Sequence, residues 1–137
     1  MNVAFSSDNN YAPYLAVSIL SVLKNNSESE ICFYILDFGI DNNNKEIIAN
    51  IVYNHGKSIK FISVDKDEFV NFPITINYIS LATYARLNIT QYIPDVDKLL
   101  YIDVDTLTNG SLDDLWNADI EQYSLAACKD FLDRKST

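Results

Sequence analysis

The stretch LLYIDVDT, at residues 99–106, joins a run of four apolar residues to two aspartates that are one residue apart. The apolar run predicts a buried strand. In extended backbone, the side chains of Asp103 and Asp105 would lie on the same side, about 6.6 Å apart along the strand. Two anions at that distance repel by roughly 3 kcal/mol at an effective dielectric of about 20. A divalent cation with oxygen ligands would relieve the repulsion, so the stretch predicts a metal site at a strand end.

The same triplet also has a purely structural interpretation. Aspartate is common in the polar turns that close strands, and an Asp-x-Asp triplet alone is a weak signal of function. The apolar run before it and the strand-helix alternation of the chain favour the metal site. A cation held by two carboxylates would keep open positions for diphosphate oxygens.

Composition and charge narrow the class of protein. The 137 residues are 48% hydrophobic, which is typical of one soluble globular domain. The chain has 19 acidic and 10 basic residues, so the sequence predicts no basic surface. We therefore expect neither a nucleic-acid partner nor a surface that binds anionic lipids. No apolar run approaches a membrane span and the first residues do not resemble a signal peptide, so we expect a cytoplasmic location. Cys32 and Cys128 are expected to be buried free thiols.

Strand and helix signals alternate along the chain. Strands are predicted over residues 2–6, 31–36, 58–64, 98–102 and 125–128, and helices over 11–24, 42–55, 80–92 and 111–116, with a short helix or turn at 65–69 and a loop at 71–78. The first helix is almost entirely apolar, so we expect it to be largely buried. The alternation predicts an α/β fold with a mostly parallel sheet, helices on both faces and right-handed connections.

Several helix ends carry sequence signals. Asn43 and Glu46 have the spacing of a capping box, and Gly56 follows the second helix as a plausible C′ residue. Ser111 is the expected cap of the last helix. The lone histidine, His55, lies near a helix C-terminus, where core packing or interaction with the helix dipole explains it better than a ligand role.

A polar turn follows the first predicted strand. In open α/β sheets the carboxyl ends of strands are where ligands bind. Asp8 would then contact a polar ring edge and Tyr11 would stack on a planar ring. Simple helix capping is the alternative, and for Asn10 taken alone it is the preferred one.

Two further residues have both a functional and a structural interpretation. Arg86 is a cation in a mostly apolar helix, and it either extends over apolar neighbours or directs its guanidinium at a phosphate or carboxylate. Asp130 follows the last predicted strand as a binding group or as a solvated loop residue. The chain has only three glycines and no glycine-rich phosphate loop. A metal ion and side chains would therefore have to bind the phosphates of any nucleotide ligand.

Three separated motifs resemble the family 8 glycosyltransferases. They are FSSDNNY at residues 5–11, YISLATYARL at 78–87 and LYIDVDTL at 100–107, and they are most similar to the bacterial lipooligosaccharide α-galactosyltransferases of that family. The resemblance implies a GT-A fold, a Rossmann-like nucleotide-diphospho-sugar transferase fold. It also implies transfer of a hexose, galactose or glucose, from a UDP-sugar to a lipopolysaccharide or other glycolipid acceptor, with retention of configuration and with manganese.

The resemblance also implies roles for individual residues. Asp103 and Asp105 would be the metal ligands. The donor site would be lined by Ser6, Asp8, Asn10, Tyr11, Arg86, Asp103, Val104 and Asp105. Ser6 would act mainly through its backbone, and Val104 would pack near the ribose. Tyr78 stands in the acceptor region where the galactosyltransferase has a histidine, and Asp130 matches an acidic residue, assigned as catalytic, near the transferred sugar and acceptor.

Catalytic domains of this family continue well past 137 residues. Their later part supplies a metal-binding histidine, a glutamine near the reacting carbon and much of the acceptor site. The resemblance therefore implies that residues 1–137 are the N-terminal donor-binding part of a single GT-A domain, truncated at its C-terminus, with peripheral membrane contact left to the missing part. An inactive fragment or UDP-binding remnant is the alternative. A nucleotidyltransferase is disfavoured because no Gly- and Lys-rich loop follows the first strand.

Overall fold

A parallel sheet forms the centre of the molecule. The computed structural model describes residues 1–69 and 84–128. The strands are β1 (Asn2–Ser7), β2 (Cys32–Asp37), β3 (Ser58–Ser63) and β4 (Leu100–Tyr101), and they lie in the order β3-β2-β1-β4. The helices are α1 (Ala12–Asn25), α2 (Asn42–Asn54), α3 (Ile89–Tyr92) and α4 (Asp113–Asn117), with 3₁₀ turns at Lys66–Phe69 and Arg86–Asn88. The predicted α/β class with a parallel sheet is confirmed.

The two central strands are nearly continuous apolar runs because the sheet is covered on both faces. β1 pairs with β2 over all six residues, from Asn2↔Cys32 to Ser7↔Asp37, and β2 pairs with β3 in the same way. β4 adds only the pairs Val3↔Leu100 and Ala4↔Tyr101. Five of the six residues of β1 are buried, so the site described below is built on a rigid strand.

Side chains of alternate strand residues form two separate hydrophobic clusters, one on each face. One face packs against α1 and α2, with Val3, Phe5, Phe33, Ile35, Leu15, Ile19, Ile48 and Val52 among its buried members. The other face carries Ala4, Tyr34, Leu36, Phe69, Ala85 and Ile93. Each fully buried Val, Leu, Ile or Phe side chain contributes about 1.5–3 kcal/mol, which makes these clusters the main source of stability.

The first two helices differ in detail from the sequence prediction. α1 buries one face only, because Tyr14 and Val17 are more than half exposed, so the expectation of a largely buried helix is wrong. At the start of α2 the cap is Asp41, whose carboxylate accepts the backbone N–H of Asn44 at 2.7 Å, and not the predicted capping box. Asp41 has extended backbone directly before the helix, which places its side chain over the free N–H groups.

The end of α2 agrees with the prediction. Gly56 has a φ of +70°, the left-handed conformation that glycine adopts after helix ends. His55 is exposed at the helix terminus, and its ring Nδ1 lies 2.8 Å from the carbonyl oxygen of Ile51. Its role is therefore at the helix end and not in core packing.

The third predicted helix and the fourth strand are shorter than expected. Residues 80–83 and the predicted loop at 71–78 lie outside the described residues. The described remainder is helical at 84–85, passes through the 3₁₀ turn Arg86–Asn88 and ends in α3. β4 covers 100–101 instead of 98–102 and is only partly buried, because it lies at the edge of the described sheet.

The structure also differs from the sequence prediction for the last strand, the cysteines and the cap of the last helix. Residues 125–128 are exposed and form no strand, since no ladder partner for them is present in the part of the chain that the structure describes. Cys32 is half-buried and Cys128 is exposed, so the expectation of two buried thiols is wrong. The cap position of α4 is Leu112, although the Ser111 hydroxyl accepts the N–H of Asp113 at 3.0 Å. Within residues 1–69 and 84–128 no helix is long and apolar enough to cross a membrane.

Candidate functional site

The order of the strands reverses between β1 and β4. The chain moves from β1 through β2 to β3 on one side of the sheet, and then returns to place β4 on the other side of β1. In open parallel sheets the crevice outside the carboxyl ends of the strands at such a switch point is a common ligand site. The turns that follow β1 and β4 flank this crevice, and they contain the residues singled out in the sequence.

The turn after β1 is held by the carboxylate of Asp8. Its Oδ1 accepts the backbone N–H of Asn10 at 2.9 Å and of Tyr11 at 3.1 Å. Asp8 thus holds the turn before α1, whereas no side chain caps the helix itself, so the capping role preferred for Asn10 is wrong. Tyr11 is about half exposed, and its ring centroid lies 5.6 Å from that of Tyr14. The turn thus presents an aromatic ring to solvent at the edge of the crevice.

Asn9 ties this turn to α2, a role that the sequence analysis missed. Its side-chain oxygen accepts the backbone N–H of Asp41 at 3.0 Å and the side-chain amide of Asn44 at 2.9 Å. Both partners lie more than thirty positions further along the chain. A local pattern carries no signal for such a contact, since it depends on how α2 packs beside α1.

Asp103 and Asp105 lie in a turn and not on extended backbone. The carbonyl of Asp103 accepts the N–H of Thr106 at 3.2 Å and the Thr106 hydroxyl at 2.7 Å. The same-side arrangement inferred for a continuing strand is therefore wrong. Both aspartates are exposed, so water screens their mutual repulsion and lowers it below the first estimate.

Arg86 faces the first of these aspartates. A guanidinium nitrogen of Arg86 lies 3.9 Å from Oδ1 of Asp103, and both side chains are about half exposed. A pair this open to solvent contributes little stability. Of the two interpretations of Arg86, the structure favours a guanidinium directed at a carboxylate.

Tyr101 is the last residue of β4, and it pairs with Ala4 of β1. Burial raises the pKa of Tyr101 to about 12, and the charge of Asp103 and a hydrogen bond to its carboxylate act in the same direction. The Arg86 charge and a hydrogen bond from Ser6 oppose that rise in pKa. Ser6 itself is buried on β1. Tyr101 was not among the predicted site residues.

The remaining predicted site residues are placed elsewhere or lie outside the described residues. Val104 is partly buried and packs against the hydrophobic cluster on the α1 face of the sheet. Tyr78 and Asp130 fall in segments that the structure does not describe. The structure thus brings Asp8, Asn10 and Tyr11 to one side of the crevice and Asp103 and Asp105, with Arg86, to the other.

Comparison with known proteins identifies the family. The family model described as Glycosyl transferase family 8 matches residues 2–137. The chain belongs to glycosyl transferase family 8. The resemblance seen in the three motifs is thereby confirmed.

Relatives of this family 8 chain include both sequences and solved structures. A Haemophilus influenzae protein described only as a glycosyltransferase is 57% identical over 137 residues, which are 99% of this chain and 41% of that protein. The lipopolysaccharide 1,3-galactosyltransferase of Salmonella typhimurium is 28% identical, over 92% of this chain and 37% of its own length. The crystal structure of the galactosyltransferase LgtC in complex with donor and acceptor sugar analogs matches with a TM-score of 0.93 and 41% identity, over 99% of this chain and 49% of LgtC.

These matches confirm the GT-A fold. They also show that the family 8 chain spans half or less of the length of the relatives it matches. Activity, substrates and partners of the whole protein are therefore treated as proposals.

The residues present fit part of a divalent metal site. Asp103 and Asp105 offer carboxylate oxygens, the ligands that Mg²⁺ and Mn²⁺ prefer. Across residues 1–69 and 84–128 no group of three or more His, Cys, Asp or Glu side chains could hold a metal ion. His55 is turned to a backbone carbonyl at the end of α2. The two aspartates are thus a partial ligand set.

Another carboxylate at the same edge of the sheet has a structural role. Asp37 ends β2 and is buried, and its Oδ2 lies 2.5 Å from the Lys45 ammonium. Its Oδ1 accepts the backbone N–H groups of Gly39 and Ile40 at 2.9 and 2.7 Å. Because these contacts use both of its oxygens, Asp37 is excluded from the candidate site.

Proposed function

We propose that the protein is a metal-dependent hexosyltransferase that transfers a sugar from a UDP-sugar to a lipopolysaccharide or lipooligosaccharide acceptor with retention of configuration. Galactose is the first choice of sugar and glucose the second. The observation that carries the proposal is the pair of turns, Asp8–Tyr11 and Asp103–Asp105, that flank the switch point of the sheet. Family membership, the Salmonella lipopolysaccharide galactosyltransferase and the sugar analogs bound to LgtC support it. An inactive UDP-binding remnant is the alternative, and no feature of the site favours it.

The turn after β1 binds the nucleoside end of the donor in this proposal. The half-exposed ring of Tyr11 stacks on the base. Asp8 uses one carboxylate oxygen to hold the turn and directs the other at the polar edge of the base. Asn10 and the backbone of Ser6 complete the nucleoside side, and Val104 packs near the ribose.

Asp103 and Asp105 would hold the metal, which we propose is manganese. When bound, the ion neutralises charge on the diphosphate leaving group. Arg86 lies beside Asp103. In this proposal it would contact the donor sugar. Because its long side chain is half exposed, the guanidinium is free to move from the carboxylate to a bound anion.

Tyr78 and Asp130 keep the roles that the resemblance implies. We propose that both contact the acceptor and that Asp130 is the catalytic acid group near the transferred sugar. No protein nucleophile is assigned. A cytoplasmic location, at the inner membrane where lipopolysaccharide precursors are built, follows from this substrate class.

Replacement of both metal-ligating aspartates tests the proposal. In Asp103→Asn/Asp105→Asn, we expect the manganese-dependent part of UDP affinity to fall by at least about tenfold, since amides lack the charge that holds a hard cation. The fold should survive because both side chains are exposed. Calorimetric titration gives the affinity and circular dichroism checks the fold.

The chain contains its own matched control. Asp95-Val96-Asp97 repeats the triplet Asp103-Val104-Asp105 with both aspartates exposed, but it precedes β4 instead of following it. Asp95→Asn/Asp97→Asn makes the same change in net charge and should leave manganese-dependent affinity unchanged. Equal losses in the two double variants would indicate a general charge effect. Loss of the helical signal in the first variant would favour the structural interpretation of the triplet.

A further inference from the structure

The turn between β1 and α1 is shaped by hydrogen bonds within itself. Oδ1 of Asp8 accepts the backbone N–H groups of Asn10 and Tyr11 at 2.9 and 3.1 Å. These bonds join residues that are no more than three positions apart, so they fix the internal shape of the turn. They do not fix where the turn lies relative to the neighbouring helices.

The side chain of Asn9 joins this turn to the start of α2. Its Oδ1 accepts the backbone N–H of Asp41 at 3.0 Å and the side-chain amide of Asn44 at 2.9 Å. The same Asn44 amide lies 3.4 Å from Oδ2 of Asp41, whose Oδ1 accepts the Asn44 backbone N–H at 2.7 Å. One oxygen of Asn9 thus receives two hydrogen bonds from groups that also hold each other. The partial positive charge of a helix N-terminus favours an oxygen at this place.

The N-terminal part of α2 is fixed by its contacts with the sheet. Ile48 and Val52 of α2 are fully buried in the hydrophobic cluster on that face. The buried carboxylate of Asp37, at the end of β2, holds the loop before α2 through two backbone N–H groups and pairs with Lys45 in the first turns of the helix. The sheet therefore positions α2, and α2 positions the turn through Asn9.

The turn needs such a contact because it lies at the surface. Three of its four residues, at positions 8–11, are exposed, so packing restrains them little. Surface segments that become ordered only when a ligand binds lower the affinity for that ligand, because their conformational entropy is lost on binding. Hydrogen bonds that order the turn in the free protein remove part of this loss.

We propose that Asn9 is a positioning residue whose side-chain oxygen, held by Asp41 and Asn44, orders the turn between β1 and α1 for the nucleoside end of the donor. The inference rests on the proposed function, in which this turn binds the nucleoside. Asn9 itself touches no part of the donor in this arrangement. Its effect passes through the turn, so it changes nucleotide affinity and leaves the response to the metal unchanged.

The test is Asn9→Ala, with UDP titrated calorimetrically into the purified protein with and without manganese. The variant removes the acceptor of two hydrogen bonds, so UDP affinity should fall by about fivefold in both titrations. The ratio of the two affinities should stay as in wild type, because Asp103 and Asp105 are unchanged. Asn9→Asp keeps an acceptor oxygen and should restore the affinity to within about twofold of wild type.

Asn44→Ala tests the same contact without changing the turn. It removes the amide that donates to Asn9 and keeps the backbone N–H of Asp41, so UDP affinity should fall by only about twofold to threefold. The double variant Asn9→Ala/Asn44→Ala should lose no more affinity than Asn9→Ala, because the amide of Asn44 has already lost its acceptor. Full additivity of the two losses would contradict the positioning role.

Two other asparagines provide matched controls. Asn43 is exposed and lies one position before Asn44 in the first turn of α2. Asn2 donates from its side chain to the carbonyl of Lys98 at 3.2 Å, at the amino end of the sheet and therefore away from the turn. Asn43→Ala and Asn2→Ala should leave UDP affinity unchanged. Circular dichroism checks the fold of every variant, which should survive in Asn9→Ala because Asn9 is exposed.

Each outcome separates the inference from the proposed function. Wild-type protein that binds UDP with manganese while Asn9→Ala binds it equally well would overturn the positioning role and leave the proposed function standing. A loss in Asn9→Ala that Asn9→Asp does not restore, or that extends to the response to manganese, would also overturn it and assign Asn9 a structural role only. Folded wild-type protein that does not bind UDP would overturn both.

Discussion

Asp8 shows how one carboxylate serves both the fold and the site. Its Oδ1 closes the turn between β1 and α1 by accepting two successive backbone N–H groups. The polar turn was readable from the sequence, but capping was preferred for Asn10, and in the structure Asp8 holds the turn while no side chain caps α1. The contacts of the neighbouring Asn9 with α2 were not readable, because they depend on the packing of separate elements.

At the residue scale, we predict opposite behaviour for two substitutions of Asp8. Asp8→Ala removes the acceptor for both N–H groups and should lower the free energy of unfolding by about 1 kcal/mol. Asp8→Asn keeps a side-chain oxygen in the same place and should lose less than about half of that. Urea denaturation followed by circular dichroism measures both. Equal losses would show that the charge of Asp8, and not its acceptor oxygen, stabilises the turn.

At the scale of elements, the polar stripe of α1 holds the segment that follows the aspartate turn. The Ser21 hydroxyl accepts the N–H of Thr108 at 2.9 Å, and the Asn25 amide donates to the Thr108 carbonyl at 2.9 Å. Asn26, buried at the end of α1, accepts the N–H of Leu112 at 2.7 Å. The partners of these side chains lie 83 to 87 positions further along the chain, and no local pattern of the sequence indicates them.

Alanine substitution at two polar positions, one within α1 and one at its end, should change the free energy of unfolding in different directions. Asn26→Ala leaves the partly buried N–H of Leu112 without its acceptor and should lower the free energy of unfolding by about 1–2 kcal/mol. The Ser18 hydroxyl is buried and makes no hydrogen bond within the described part of the chain. Ser18→Ala should therefore be neutral or stabilising by up to about 1 kcal/mol. Urea denaturation of both variants checks this, and a clear loss in Ser18→Ala would contradict it.

The length of a strand depends on the strands that pair with it. The residue pattern within one segment does not show which other segments those are. β1, β2 and β3 were predicted to within a residue or two because both of their sides are apolar or paired. β4 is shorter than its apolar run because the backbone turns at Asp103, and residues 125–128 form no strand without a neighbouring ladder. The metal site at Asp103 and Asp105 stays a prediction, because the extended backbone from which it was inferred is replaced by a turn.

At the scale of the whole molecule, the strand order turns separate motifs into one site. The alternation of strands and helices predicted a parallel sheet, but it is equally compatible with other orders of the four strands. The observed order β3-β2-β1-β4 puts the turns after β1 and β4 side by side, although about 90 residues separate them in the sequence. This neighbourhood is what the proposed function requires of Asp8, Tyr11, Asp103 and Asp105, which would bind one ligand.

Calorimetric titration of UDP into the wild-type protein, with and without manganese, tests this arrangement most directly. If the two turns bind the two ends of one nucleotide diphosphate through a metal, UDP affinity should rise at least about tenfold when manganese is added, and a single site should be filled. Folded protein that binds UDP equally well without the metal, or does not bind it at all, would contradict the account.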